Sequence, residues 1–278
     1  MDTYKVISFS EAVEGNSYPG RGIVVGETPD ANKAVAAYFI MGRSENSRNR
    51  VFTVKNGVVY TEPFDIAKLK DPSLIIYAAV RRVNNHLIVT NGNQTDTVAD
   101  GLVAGKNFYT SLESRCFEPD APNFTPRISA EIEFDEQAGF KYRMSILKSG
   151  DAEGTVCNRF GFDYAPVAGL GHFLHTYECD GNPLPTFSGE PTRVAIKNDI
   201  DEFADNFGKE TGIENLRDKI EAFKANPVKD GVNLKGLKRT SLKLFIPNMY
   251  FDTPMEMGDT VWAYLGENYE CYCLYWKE

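Results

Sequence analysis

The sequence predicts an α+β fold built mainly on antiparallel sheet, and three features lead there. Short apolar runs are joined by tight-turn dipeptides, amphipathic helical stripes are few, and strands do not alternate with helices as a doubly wound nucleotide fold requires. Ala34 to Met41 is an uninterrupted apolar run, bounded by Asp30 and Asn32 before it and Gly42 after it, and reads as a buried strand. Val51 to Val54 and Val58 to Tyr60 flank Asn56-Gly57, the strongest short signal for a hairpin. Leu74 to Val83 and His86 to Thr90 flank Asn84-Asn85 as a second hairpin. Ile128 to Phe134 and Phe140 to Leu147, around Asp135 to Gly139, form a third.

Helices are expected in two places. Val98, Leu102, Tyr109, Leu112 and Cys116 share one helical face, with Asn93, Thr95 and Asp96 available to cap its start. Ile213, Leu216, Ile220 and Phe223 make a second stripe that ends near Asn226-Pro227. The stretch between them, with Gly169, Gly171, Pro183, Pro185 and Gly189, reads as loop-rich. From Val228 onward strand-like runs return at Leu242 to Ile246, Val261 to Leu265 and Tyr269 to Trp276.

The chain has 278 residues with 42% hydrophobic and 25% charged, an ordinary globular composition. Its net charge of −9 argues against a nucleic-acid partner, although a local basic pocket fits within that balance. No apolar run reaches the roughly 18 residues of a membrane span. Met1 to Gly15 carries Glu11 and Glu14 and lacks the basic start of a signal peptide. Five scattered cysteines then read as reduced thiols, with Cys116 as a packing thiol on the helix face, and the expected location is cytoplasmic. Metal binding is not expected. His172 and His175 stand three apart in a strand and point to opposite faces, and Cys271 and Cys273 lack companions for a closed site.

Polar clusters at strand ends are the candidate site. Gly42 to Arg50 carries Arg43, Arg48 and Arg50 in a connection between strands, and Arg21 stands between Gly20 and Gly22. Guanidinium groups grip phosphate through paired charge-assisted hydrogen bonds; the alternative is a solvated loop. Thr90 to Thr97 offers a helix N-terminus with Asn91, Thr95 and Asp96 for a heterocycle or ribose, or for plain capping. It lacks the glycine spacing and lysine of a triphosphate loop. Glu118 and Asp120, followed by Thr125-Pro126-Arg127, suit acid–base chemistry or a surface ion pair.

Tyr18-Pro19-Gly20-Arg21-Gly22, Gly42 to Arg50, Tyr77 to Arg81, Thr90 to Thr97 and Thr125 to Ala130 occur in the order of the archaeal-type IMP cyclohydrolase family, which the chain resembles from about Tyr18 to Arg193. The resemblance implies an αββα sandwich similar to the N-terminal-nucleophile hydrolases, with no exposed nucleophile at the start of the chain. It implies ring closure of 5-formamidoimidazole-4-carboxamide ribotide to inosine monophosphate (IMP), with no cofactor and in a homo-oligomer. By the same resemblance Arg50, Tyr77 and Glu118 act at the reacting centre. Arg21, Arg43 and Arg48 meet the phosphate, and Asn91, Thr95, Asp96 and Arg127 complete the substrate site. The family-like domain is expected over 1–208. Residues 209–278 are expected to be an extension that completes the same domain or adds to it. Amide hydrolysis on the same fold and nucleotide binding without turnover are the competing functions.

Overall fold

Turn chemistry sets the strand pairing. Asn56 and Asn84 sit at φ 52° and 53°, the left-handed region that tight hairpins need, so Val51–Lys55 (β3) pairs Val58–Glu62 (β4) and Tyr77–Val83 (β5) pairs His86–Thr90 (β6). Arg127–Asp135 (β7), Gly139–Ser149 (β8) and Cys157–Tyr164 (β9) continue the meander, giving an antiparallel sheet in the order β3-β4-β5-β6-β7-β8-β9. Arg21–Glu27 (β1) and Ala34–Met41 (β2) begin a second sheet, in which β1 also pairs Leu170–His175 (β10), and β10 pairs Thr192–Ala195 (β11). The computed structural model describes residues 4–31, 34–44, 47, 49–69, 72, 76–135 and 139–196, plus the backbone of residues 250–251, 263–265 and 269–271. Those last segments are the short strands Tyr250–Phe251 (β12), Ala263–Leu265 (β13) and Tyr269–Cys271 (β14); β12 and β14 both pair with β2, and β13 pairs with β14.

Side-chain alternation packs the sheets face to face. Ile23, Val25, Ala36, Tyr38 and Ile40 of the first sheet meet Ala79, Leu87, Val89, Ala130, Ile132 and Met144 of the second in one buried core. The other face of β2, with Val35, Ala37, Phe39 and Met41, is buried too, packing with Val24, Phe173 and Val13 of the short helix Phe9–Val13 (α1). This explains why β2 reads as a continuous apolar run rather than an alternating one. On the outer face of the second sheet, Ile88 packs under Val98, Ala99 and Phe108 of two helices, Gln94–Val103 (α2) and Phe108–Ser111 (α3), and under Leu112, which caps the second. Helices therefore cover both sheets, an α+β sandwich.

Two details differ from the sequence reading. The stripe from Val98 to Cys116 is not one helix. Gly105, at φ 79°, ends α2, and Asn107 caps α3 through a reciprocal bond with Thr110, so Cys116 falls beyond both helices and is exposed. The segment read as loop-rich holds β9, β10 and β11, whose polar and aromatic alternation hides the strand period. The stripe at Ile213 to Phe223 and the run at Leu242 to Ile246 lie outside the described residues. No helix among the described residues is long and apolar enough to cross a membrane.

β10 also carries a testable electrostatic feature. His172 and His175 face opposite sides and are buried, which pushes both pKa values down to about 4. His175 Nδ1 lies 2.8 Å from the Tyr177 carbonyl, which only accepts, so this nitrogen donates. Between pH 6.5 and about 4 the unfolded chain takes up these protons and the folded chain does not, so stability falls as pH drops through that window. The full loss is about 3 kcal/mol for each ring as an upper figure. Denaturant melts across that range should show it, and His172→Phe should flatten the dependence.

Candidate active site

The ends of the strands fix the site. The entry to β1, the exit of β2, the exit of β6, the entry to β7 and the exit of β10 lie at one edge of the sandwich, and their loops enclose a cavity of about 330 Å3. That volume is within the range of small-molecule sites. Arg21, Arg43 and Arg50 line it together with Ser44 and Ser47. Asn91, Glu118, Asp120, Asn123 and Thr125 complete the polar lining, and Tyr18, Tyr177 and Leu184 supply apolar surface.

Each guanidinium is held differently. Arg43 donates at 2.8 Å to both the Asp180 carboxylate and the Gly181 carbonyl, and lies 5.3 Å from the centre of the Tyr18 ring. Arg21 is half-buried; burial opposes its charge, but Tyr18, Tyr177, Tyr77 and Tyr38 around it outweigh that and raise its pKa. Arg50 is 3% exposed, and burial, then the like charge of Arg21, push its pKa down. An anion entering here relieves the repulsion between two confined positive charges. Arg48 lies outside the described residues.

Glu118 and Arg127 form a largely buried pair, with Arg127 Nη1 2.9 Å from Glu118 Oε1. An isolated ion pair would lower the acid and raise the base, yet both shift the other way. Burial is the larger effect on each, and Asp120 adds to it at Glu118, so the Glu118 carboxyl is raised. Arg127 Nη1 also donates to Gln94 Oε1 at 2.6 Å and Asn93 Oδ1 at 3.0 Å, which locks the guanidinium behind the carboxylate. Gly92 permits this closeness: a Cβ there would stand 2.7 Å from Gln94 Oε1, 2.8 Å from Arg127 Nη1 and 3.1 Å from Glu118 Oε1.

The remaining expected residues divide. Asn91 lines the cavity, but its side chain mainly ties loops together, accepting from Ile128 N–H at 2.9 Å and Gln94 Nε2 at 2.9 Å and donating to Pro126 O at 2.8 Å. Tyr77 is 5% exposed and not part of the lining; its hydroxyl meets that of Tyr38 at 2.7 Å, behind Arg21 and Arg50. Thr95 is fully buried, bonded to the Thr90 hydroxyl at 2.7 Å and to Gly92 O, so the structure sets it under the loop rather than on the cavity. Asp96 points outward and pairs with Arg81 at 2.7 Å, which also removes it from the lining. Both changes have one cause: α2 begins at Gln94, so its first turn presents Thr95 inward and Asp96 to solvent. Asn123 and Tyr177 carry no signal in the sequence, whereas Tyr18 stands in the Tyr18 to Gly22 cluster and Asp120 is the second carboxylate of the Glu118 cluster.

His86, Glu131 and Glu133 bring their ligand atoms within 4.8 Å of one another on the outer face of the second sheet. Arg143 Nη1 already lies 2.7 and 2.8 Å from those two carboxylates, so a guanidinium holds the position a cation would take.

Residues 18–228 match the model of the family described as IMP cyclohydrolase-like protein. The chain belongs to the IMP cyclohydrolase-like family. Within that family it is similar to an IMP cyclohydrolase of Methanopyrus kandleri, 29% identical over 195 residues that cover 66% of this chain and 95% of that protein. An IMP cyclohydrolase of Methanococcus aeolicus is 30% identical over 167 residues, covering 58% of this chain and 75% of that protein. One of Methanococcus maripaludis is 36% identical over 124 residues, covering 43% and 60%. The family match contains every residue of the cavity lining and ends before residues 229–278.

Proposed function

We propose that the chain closes the pyrimidine ring of 5-formamidoimidazole-4-carboxamide ribotide, releasing water and IMP. The observation that carries this reading is the meeting of Arg21, Arg43 and Arg50 with Glu118 in one cavity sized for a nucleotide. Arg21 and Arg43, with Ser44 and Ser47, take the 5′-phosphate, each charge-assisted bond contributing about 1.5–3 kcal/mol. Arg48, in the same connection, joins them. Asn91 borders the base and ribose.

The chemistry is an intramolecular condensation, so proximity is largely supplied by the substrate. The carboxamide nitrogen attacks the formyl carbon, one N–H proton leaves, and the formyl oxygen becomes a hydroxyl that departs as water with a second proton from the formamide nitrogen. A carboxylate cannot fully ionise an amide in advance, so proton removal accompanies bond formation. Glu118 takes that proton and returns it to the departing oxygen, a task suited to a carboxyl raised by burial. Arg50 stabilises the charge that develops on the formyl oxygen, and the Tyr77 hydroxyl, bonded to Tyr38, supports it as donor or proton relay. Arg127 holds Glu118 in place. No electron changes hands, so the reading calls for no redox cofactor.

The same reading takes the sandwich as one of the N-terminal-nucleophile hydrolase type and the protein as a cytoplasmic homo-oligomer with no nucleic-acid partner, in keeping with its net charge of −9. It takes 1–208 as the core domain and 209–278 as completing it, supported by the pairing of β12 and β14 with β2.

Purified protein mixed with the formylated ribotide and followed spectrophotometrically tests the reaction. Appearance of IMP supports ring closure; deformylation points to amide hydrolysis, and binding without product points to a sensor. Gly92→Ala gives a finer check. Its methyl displaces the flexible ends of Glu118 and Arg127, so turnover should fall by about tenfold or more while the melting temperature drops by only a few degrees. Unchanged turnover would show that the pair's placement does not matter.

A further inference from the structure

Asp120, Thr125 and Tyr177 form a hydrogen-bonded chain along the cavity wall. Asp120 Oδ1 accepts the Thr125 backbone N–H at 2.6 Å, and Asp120 Oδ2 accepts the Thr125 hydroxyl. Thr125 Oγ1 lies 2.7 Å from Tyr177 Oη, a contact in which either oxygen can be the donor on geometry alone. Thr125 and Tyr177 are 6% and 1% exposed, so bulk water does not settle the direction.

Counting protons does settle it. A hydroxyl has one hydrogen, and a carboxylate is acceptor only. The Thr125 hydrogen goes to Asp120, because a charged acceptor outcompetes a neutral phenol for it. Thr125 Oγ1 can then only accept from Tyr177, whose single hydrogen is thereby spent. What remains on Tyr177 Oη is lone pairs.

The rest of Tyr177 is fixed. Its backbone N–H donates to Pro19 O at 3.2 Å, its carbonyl accepts from Asn16 Nδ2 at 3.1 Å, and its ring stacks on Tyr18 with centroids 5.8 Å apart. The acceptor is thus preorganised, and it shares the cavity with Glu118, whose own N–H donates to Thr125 O at 2.9 Å.

We infer that Tyr177 is a further catalytic residue, a hydrogen-bond acceptor for a substrate N–H, and that Asp120 and Thr125 are positioning residues that set its polarity. The inference rests on the ring-closure reading and deepens it. The carboxamide nitrogen carries two hydrogens; ring closure removes one and keeps the other as N1–H of IMP. Tyr177 Oη takes the retained hydrogen and Glu118 the departing one. Held between two acceptors, the NH2 group turns its lone pair toward the formyl carbon. No bond to Tyr177 is made or broken, and its own proton stays on its oxygen.

Asp120→Asn reverses the chain. The new amide donates to Thr125 Oγ1, Thr125 donates to Tyr177, and Tyr177 presents a hydrogen to the cavity. Two readouts on the full chain test this. First, kcat for ring closure should fall by about tenfold or more in Asp120→Asn, Thr125→Val and Tyr177→Phe, while Thr125→Ser, which keeps the hydroxyl, stays within about threefold of wild type. Second, the affinity for IMP relative to purine riboside monophosphate, whose N1 carries a lone pair in place of a hydrogen, should shift by about tenfold toward the latter in Asp120→Asn. A structural role alone would not change that preference. Wild-type kcat in Tyr177→Phe, an unchanged ligand preference in folded Asp120→Asn, or a Thr125→Ser variant as slow as Thr125→Val would each overturn the inference. Should Asp120→Asn fail to fold, the Thr125 pair and Tyr177→Phe still decide. A wild-type protein that makes no IMP removes the ring-closure reading itself, a result separable from every outcome above.

Discussion

Arg50→Ala should lower kcat for ring closure by about 100-fold while the melting temperature changes little. The two halves of this expectation have different origins. The rate falls because the formyl oxygen gains charge only in the transition state, and a buried guanidinium stabilises that charge without reorganising water. The stability holds because burial and the nearby Arg21 charge both disfavour the Arg50 guanidinium, so removing it relieves a cost that offsets the contacts it loses. Arg50→Lys should recover only part of the rate, since an ammonium keeps the charge but not the planar fork. Steady-state kinetics with thermal melts on the same preparations check all three statements. A variant with wild-type kcat would take Arg50 out of the reaction.

Glu118→Gln should cost about 100-fold or more in kcat, since the isosteric amide keeps the shape and loses the base. The pH profile sharpens the test. As a base, Glu118 works ionised, so kcat/KM in the wild type rises with pH through the free-enzyme pKa, above the ordinary 4.5 because burial raises it. Arg127 is the main influence holding that pKa down, so Arg127→Gln should move the acid limb to higher pH, and Glu118→Gln should abolish it. An acid limb that persists in Glu118→Gln belongs to another group.

The hairpins were legible because their turns are local: Asn56-Gly57 and Asn84-Asn85 specify left-handed backbone whatever surrounds them. β2 was legible for a different reason, burial on both faces, which makes eight consecutive apolar residues its plain signature. β9 to β11 were not. Cys157–Tyr164 is exposed or half-buried throughout, and Leu170–His175 buries two histidines, one of them bonded to Tyr142 in the other sheet, a partner that no window of sequence reveals. The arginine cluster was legible by contrast with the acidic whole. Tyr177 was not, because its value lies in a hydroxyl 2.7 Å from Thr125, across 52 residues of chain. Thr95 and Asp96 show the converse: polar residues next to a helix start look like ligands until the first turn fixes which way each one faces.

Calorimetric titration of the purified protein with IMP and with inosine addresses the core of the account most directly. On the proposed reading Arg21 and Arg43, which line this cavity, grip the 5′-phosphate, so IMP should bind at least about 100-fold more tightly than the nucleoside, a gap that narrows as salt is added. Equal affinities for the two would contradict it.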